Sequence, residues 1–157
     1  MKRGKSICRT DIPYFRGFFD MAVKKKVLVL GVTGMLGHMV QRVLAASDTI
    51  DVHGTHIFDK RDPFYFDVMS GLTELEVICD QSSCYDYFIN CIGILPGKIA
   101  EKDPTTIRKA IKINSLFPHE LSAFAKERGV RVIHISTDGV FSGEAELVIT
   151  QLIFNLS

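Results

Sequence analysis

Short continuous apolar runs alternate along the chain with stretches of helical periodicity. Val27, Leu28, Val29 and Leu30 form the first run, and Gly31 closes it. A run of this kind suits a strand buried on both faces. Apolar residues then recur at Leu36, Val40, Val43 and Leu44, the spacing of one helical face. Residues 27–46 therefore predict strand, glycine loop, helix. A second, less apolar strand is expected over 52–58, with a short third strand at Phe64, Tyr65 and Phe66. Leu72, Leu75, Ile78 and Cys79 place a helix over 70–82, and residues 87–92 read as the next buried strand. Asp103 and Pro104 are a strong helix start, an N-cap acid followed by proline at the first position. The helical pattern runs to Arg128 and ends at Gly129. Pro118 interrupts it, and a kink is expected because the ring clashes with the carbonyl four residues back. Residues 130–135 form the last buried run.

Strands alternating with helices imply right-handed crossovers and a parallel sheet. The expected fold is α/β, a Rossmann-type doubly wound parallel sheet. It is incomplete, with about five strands and helices on both faces. Residues 1–20 are expected to be a flexible N-terminal extension, 21–143 the nucleotide-binding domain, and 144–157 a divergent tail.

Composition narrows the field. An apolar fraction of 46% argues against a disordered chain. A net charge of +1 gives no global field for nucleic acid or an anionic membrane. No apolar run has the length of a membrane span, and the first residues lack the apolar centre of a signal peptide. The four cysteines, Cys8, Cys79, Cys84 and Cys91, form no CxxC pair. They read as thiols of a reducing cytosol, and no group of acids has metal spacing.

Gly31, Gly34 and Gly37 follow a strand and open a helix, and that context gives the triplet its weight. The first glycine permits a tight turn. The second lets a pyrophosphate approach the backbone, and the third lets the helix pack closely on the sheet. Thr33, Met35 and Leu36 complete this loop, whose helix N-terminus favours phosphate. The expected cofactor is NADP or NAD. Asp59 is the candidate for the adenine ribose, although it lies later than the usual interval of about 20 residues. Lys60 and Arg61 follow it. They suit either a 2′-phosphate or a solvated charged loop. Asp67, with Val68, suits either the adenine amino group or the surface. His38 and His119 read as solvent-facing helix residues, and His53, His56 and His134 as structural residues of strands.

Three segments in combination resemble the extended short-chain dehydrogenase/reductases. They are the loop at 31–37, Ile89-Asn90-Cys91-Ile92-Gly93, and Ile135-Ser136-Thr137-Asp138-Gly139-Val140-Phe141-Ser142-Gly143. The last looks most like dTDP-4-dehydrorhamnose reductases and related sugar-nucleotide enzymes, although Gly139 stands where they usually carry an aromatic residue. Asn114-Ser115-Leu116-Phe117-Pro118 resembles the helix asparagine segment of the family. The resemblance implies that Thr137 is the catalytic hydroxyl, that Asn114 holds the kinked helix and a water, and that Cys91, Ile92 and Gly93 line the nicotinamide ribose. Taken without it, Thr137 is a polar turn residue and Asn114 the cap of a broken helix. The implied partner is a nucleotide-sugar substrate.

The family's Tyr-x-x-x-Lys does not appear. No tyrosine follows Tyr87 and no lysine follows Lys126. The tail at 144–157 reads as that of a truncated or frame-shifted gene. The strand at 130–135 is then an apolar edge, open to Val148, Leu152 and Ile153 or to a second copy of the chain. Three functions stand at this point: a reductase of nucleotide-linked keto sugars, an inert nucleotide-binding fragment, and an epimerase or dehydratase of the same family.

Overall fold

The computed structural model describes residues 23–81, 85–100 and 102–136. The expected extension at 1–20, the tail at 144–157 and Thr137 lie outside these residues. Strands β1 (Lys25–Leu30), β2 (Ile50–Gly54), β3 (Tyr87–Asn90) and β4 (Arg131–His134) form one sheet in the order β2-β1-β3-β4. Every pairing is parallel, and Leu28 lies opposite His53 on one side and Phe88 on the other. The chain thus leaves β1, moves outward to β2, and crosses back over β1 to β3. Loops after β1 and β3 consequently emerge side by side at the carboxyl ends of neighbouring strands, the topological switch point where such sheets bind ligands.

The alternation within β1 explains its continuous apolar run. Leu28 and Leu30 enter one core with Leu75, Ile78, Phe88, Phe117, Leu121 and Phe124. Val27 and Val29 enter a second core with Ile89, against Val40 and Leu44. Helix α1 (Met35–Ala45) covers this second face. Helices α2 (Thr73–Gln81) and α4 (Phe117–Glu127) cover the first. Burying both faces of β1 contributes about 1.5–3 kcal/mol per large side chain, so it is the anchor of the sheet.

The second strand ends at Gly54, short of the expected 58. His56 turns away to make a single bridge with Tyr65. Residues 64–66 go no further as a strand because their polar groups are used locally. Asp62 accepts from Phe64 N–H at 2.7 Å, and Asp67 caps a short 3-10 turn, Val68–Ser70, by accepting from Met69 N–H. Four strands and one bridge therefore stand where about five strands were expected among these residues.

The long helix is divided as the proline predicts. Helix α3 (Pro104–Ile111) starts at Asp103, whose carboxylate accepts from Thr105 N–H at 2.9 Å. A π-helical segment, Lys112–Leu116, then leads into α4, where Pro118 lies in the first turn. Wider hydrogen-bond spacing accommodates a residue that has no N–H to donate. Lys112 Nζ bonds both oxygens of Glu120 at 2.7 and 2.6 Å, bridging the distortion.

Candidate cofactor site

The loop after β1 is shaped by contacts among its own glycines. Gly31 has φ +85°, a left-handed conformation that a side chain disfavours. Gly37 lies under it, so close that an added Cβ would overlap the Gly31 carbonyl oxygen and stand 2.8 Å from its carbon. This approach brings the start of α1 down onto the loop. Gly34 is the N-cap and supplies no side-chain cap. The first helical bond runs from His38 N–H to Gly34 O at 2.9 Å. The N–H groups of Met35, Leu36 and Gly37 consequently have no intrahelical acceptor. A Cβ on Gly34 would meet only ordinary contact, 3.6 Å from Gly31 O. The protein's own packing does not demand a bare Gly34, whereas a phosphate approaching these N–H groups does.

Two further residues hold this loop, and neither belongs to the glycine pattern. Thr55 is 1% exposed. Its Oγ1 accepts from Gly31 N–H at 3.1 Å, and its carbonyl accepts from Val32 N–H at 3.0 Å. Gly54 is the second. A side chain there would collide with Val32 and with Gln41 Nε2. The signal for either is position, at the carboxyl end of the second strand.

An open groove of about 600 Å³ runs along the loop, lined by Val32, Thr33, Gly34, Met35, His38, Met39, Gln41, His56 and Phe58. Its walls are largely apolar at Met35, Met39 and Phe58, and polar at Thr33, Gln41 and the two histidines. His56 Nε2 lies 3.2 Å from Asp62.

Asp59 does not line this groove. Both of its oxygens bond Arg61, at 3.1 Å to Nε and 3.0 Å to Nη2, on an exposed turn. The guanidinium holds the Asp59 carboxyl below the usual carboxylate range, and the carboxylate raises Arg61 in return. Lys60 Nζ stands 5.9 Å from the Tyr65 ring centre. Asp67 is the cap of the short turn and Val68 is buried in the core.

Cys91, Ile92 and Gly93 follow β3 beside this loop. Ile92 abuts Gly31: a Cβ on that glycine would lie 2.7 Å from Ile92 Cγ1. Burial pushes the Cys91 thiol up to about 11, so it is a neutral packing group at neutral pH. Asn114, in the π-helical segment, clamps the following residue with both ends of its amide. Oδ1 accepts from Ile94 N–H at 2.8 Å and Nδ2 donates to Ile94 O at 2.9 Å. Both expected clusters, the glycine loop and 91–93 with Asn114, therefore meet at one end of the sheet. Among the described residues no group of histidines, cysteines or acids could hold a metal ion, and no helix is long and apolar enough to cross a membrane.

Residues 25–151 match the family described as the RmlD substrate binding domain. The chain belongs to that family. No curated protein matches the sequence significantly. Among solved structures, the chain is similar to a short-chain dehydrogenase/reductase of Saccharomyces cerevisiae, with a TM-score of 0.58 at 20% identity over 73% of this chain and 54% of that one. It is similar to a UDP-glucuronic acid 4-epimerase of Bacillus cereus solved in complex with NAD, with a TM-score of 0.58 at 18% identity over 76% and 42%. A UDP-rhamnose synthase of Acanthamoeba polyphaga mimivirus gives a TM-score of 0.52 at 17% identity over 80% and 41%. These likenesses establish the Rossmann-type α/β fold. The chain spans about half the length of such structures, or less.

Proposed function

We propose that the chain binds the adenosine diphosphate portion of NAD or NADP at the loop of residues 31–37. In this reading it is the cofactor-binding part of an enzyme that reduces a keto group on a nucleotide-linked sugar. The single observation that carries the reading is the interlock of Gly31 with Gly37, which opens the N-terminus of α1 above a bare Gly34. The residues present fit a dinucleotide in other respects. The Met35, Leu36 and Gly37 N–H groups face the approach of a pyrophosphate, and the adjoining groove has room for the adenosine end. Ile92 and Gly93, steadied by Asn114, form the neighbouring wall toward the ribose of the nicotinamide. A bound nicotinamide supplies or accepts the hydride, and the chain's task is to orient it and exclude water.

Substrate polarisation falls to Thr137 under this proposal, as the resemblance implies. The sequence beyond it holds no tyrosine or lysine to act as acid and base. Cofactor binding is the part of this function that the described residues support. Calorimetry with NAD, NADH, NADP and NADPH tests it, and failure of all four to bind would sink it. Gly34→Val is expected to abolish binding and leave the unfolding midpoint nearly unchanged. Oxidation of NADPH with a dTDP-keto sugar by the purified chain separates the two roles, because turnover would restore the full reductase reading.

A further inference from the structure

Asn90 is fully buried at the end of β3, and its amide is committed on both sides. Oδ1 lies 3.0 Å from Ile92 N, and Nδ2 lies 3.1 Å from His134 Nδ1 on β4. A backbone N–H can only donate, so the atom facing Ile92 must be the oxygen. The amide nitrogen must then donate to His134, and His134 can accept only while Nδ1 is unprotonated. Ile92 in turn abuts Gly31, the first glycine of the phosphate loop. A chain of contacts thus runs from His134 through Asn90 and Ile92 to Gly31.

We propose that Asn90 and His134 are positioning residues for the cofactor loop, and that protonation of His134 reverses the Asn90 amide and releases Ile92. Protonated Nδ1 becomes a donor and needs an acceptor. Reversing the amide presents Oδ1 to His134, but it also presents the NH₂ group to Ile92 N–H, two donors face to face. Ile92 then loses its hydrogen bond, and the wall beside Gly31 loosens. The proposal rests on the cofactor reading for its functional consequence, not for the structural switch itself.

The electrostatic surroundings set its range. Burial, and secondarily the neighbouring His119 of α4, hold His134 below the ordinary histidine value of 6.5. From β3 the group facing it is the uncharged Asn90. Arg131, on its own strand, has its guanidinium against the Tyr87 ring and hydroxyl. The accepting form of His134 therefore prevails at neutral pH, and the brace opens only below the ordinary histidine value. A proton taken up only by the released state weakens cofactor binding about tenfold for each pH unit below the His134 midpoint.

Amide hydrogen exchange of the full chain tests the switch without any cofactor. Rates at Ile92 and Ile94 are compared at pH 7.5 and 5.0, each divided by the intrinsic rate at that pH. The expected result is a loss of protection at Ile92 by about tenfold or more in acid, with Leu28 and Phe88 in the sheet unchanged. His134→Gln keeps an acceptor at every pH and is expected to remove the acid loss. Asn90→Asp lets one carboxylate accept from both Ile92 and protonated His134, and is expected to preserve Ile92 protection in acid. Equal protection at both pH values would overturn the proposal. So would an acid loss that persists in His134→Gln, or one that spreads equally to Leu28 and Phe88. Cofactor titration over the same range is the second readout. Failure to bind at any pH would sink the function proposed above while leaving the exchange result standing.

Discussion

The loop after β1 is shaped mainly by its own backbone, with Thr55 bonded to its first N–H groups: Gly31 in a left-handed turn, Gly37 pressed beneath it, and Gly34 N–H bonded to Gly31 O at 3.2 Å. The loop after β3 has no such internal scaffold. It is held by Asn90 within its strand and by Asn114, twenty residues further along, with His134 behind Asn90. Both loops leave the same end of the sheet and both face the expected dinucleotide. A backbone-built loop fails through steric overlap, which is abrupt. A loop hung on amides fails one hydrogen bond at a time, and its strength can depend on pH.

The contrast predicts a gradient of effects. Gly37→Ala is expected to be the most damaging, because its Cβ would overlap backbone rather than a mobile side chain. A loss of about 3 kcal/mol in urea unfolding, together with loss of cofactor binding, is expected. A well-folded Gly37→Ala chain with normal affinity would break the steric account of this loop. Thr55→Val comes next. It keeps the shape but leaves Gly31 N–H without its acceptor in a partly buried setting, at a cost of about 1–2 kcal/mol. Its cofactor affinity should fall with its stability. Asn114→Ala removes two bonds to an exposed stretch, so about 1–2 kcal/mol is expected. Exchange at Ile94 should rise in that variant while exchange near Gly31 stays as it was, and a rise in both would merge the two loops into one unit.

The smallest effect belongs to a site remote from both loops. Partial burial pushes Asp86 up, but Lys26 N–H and the Lys25 ammonium outweigh it and hold the carboxyl below its usual value. Its stabilisation is therefore present above the unfolded value of about 3.9 and is lost as pH falls below it. Asp86→Asn should lower the denaturant midpoint at pH 7 and flatten its fall between pH 5 and 3, so that variant and parent converge in acid. A variant that lost the same stability at every pH would show a packing role in place of a charge.

Local rules carried much of the fold. Strand β1, the glycine turn and α1 are adjacent in sequence, and their signals are the backbone freedom of glycine and the period of the apolar residues. The cap at Asp103 and the distortion before Pro118 were legible for the same reason, since both are decided within one or two turns of helix. The strand expected at 64–66 shrank to a single bridge with His56, because Asp62 takes the Phe64 and Tyr65 N–H groups in a local turn. Asp59 was a natural candidate for the ribose by type and order, yet Arg61 two residues away takes both of its oxygens.

The sequence by itself determined the parallel α/β fold, the glycine turn that opens α1 and the family. Each follows from contacts between near neighbours or from a pattern fixed along the chain. Only the tertiary structure decided that Thr55 supports Gly31, that Asn114 grips Ile94, and that Asn90 joins His134 to Ile92. His134 read simply as a strand histidine, and nothing in its neighbours marks it otherwise. Hydrogen-bond partners of buried amides are chosen by which strands lie side by side, and a parallel sheet brings those strands together from far apart in the chain.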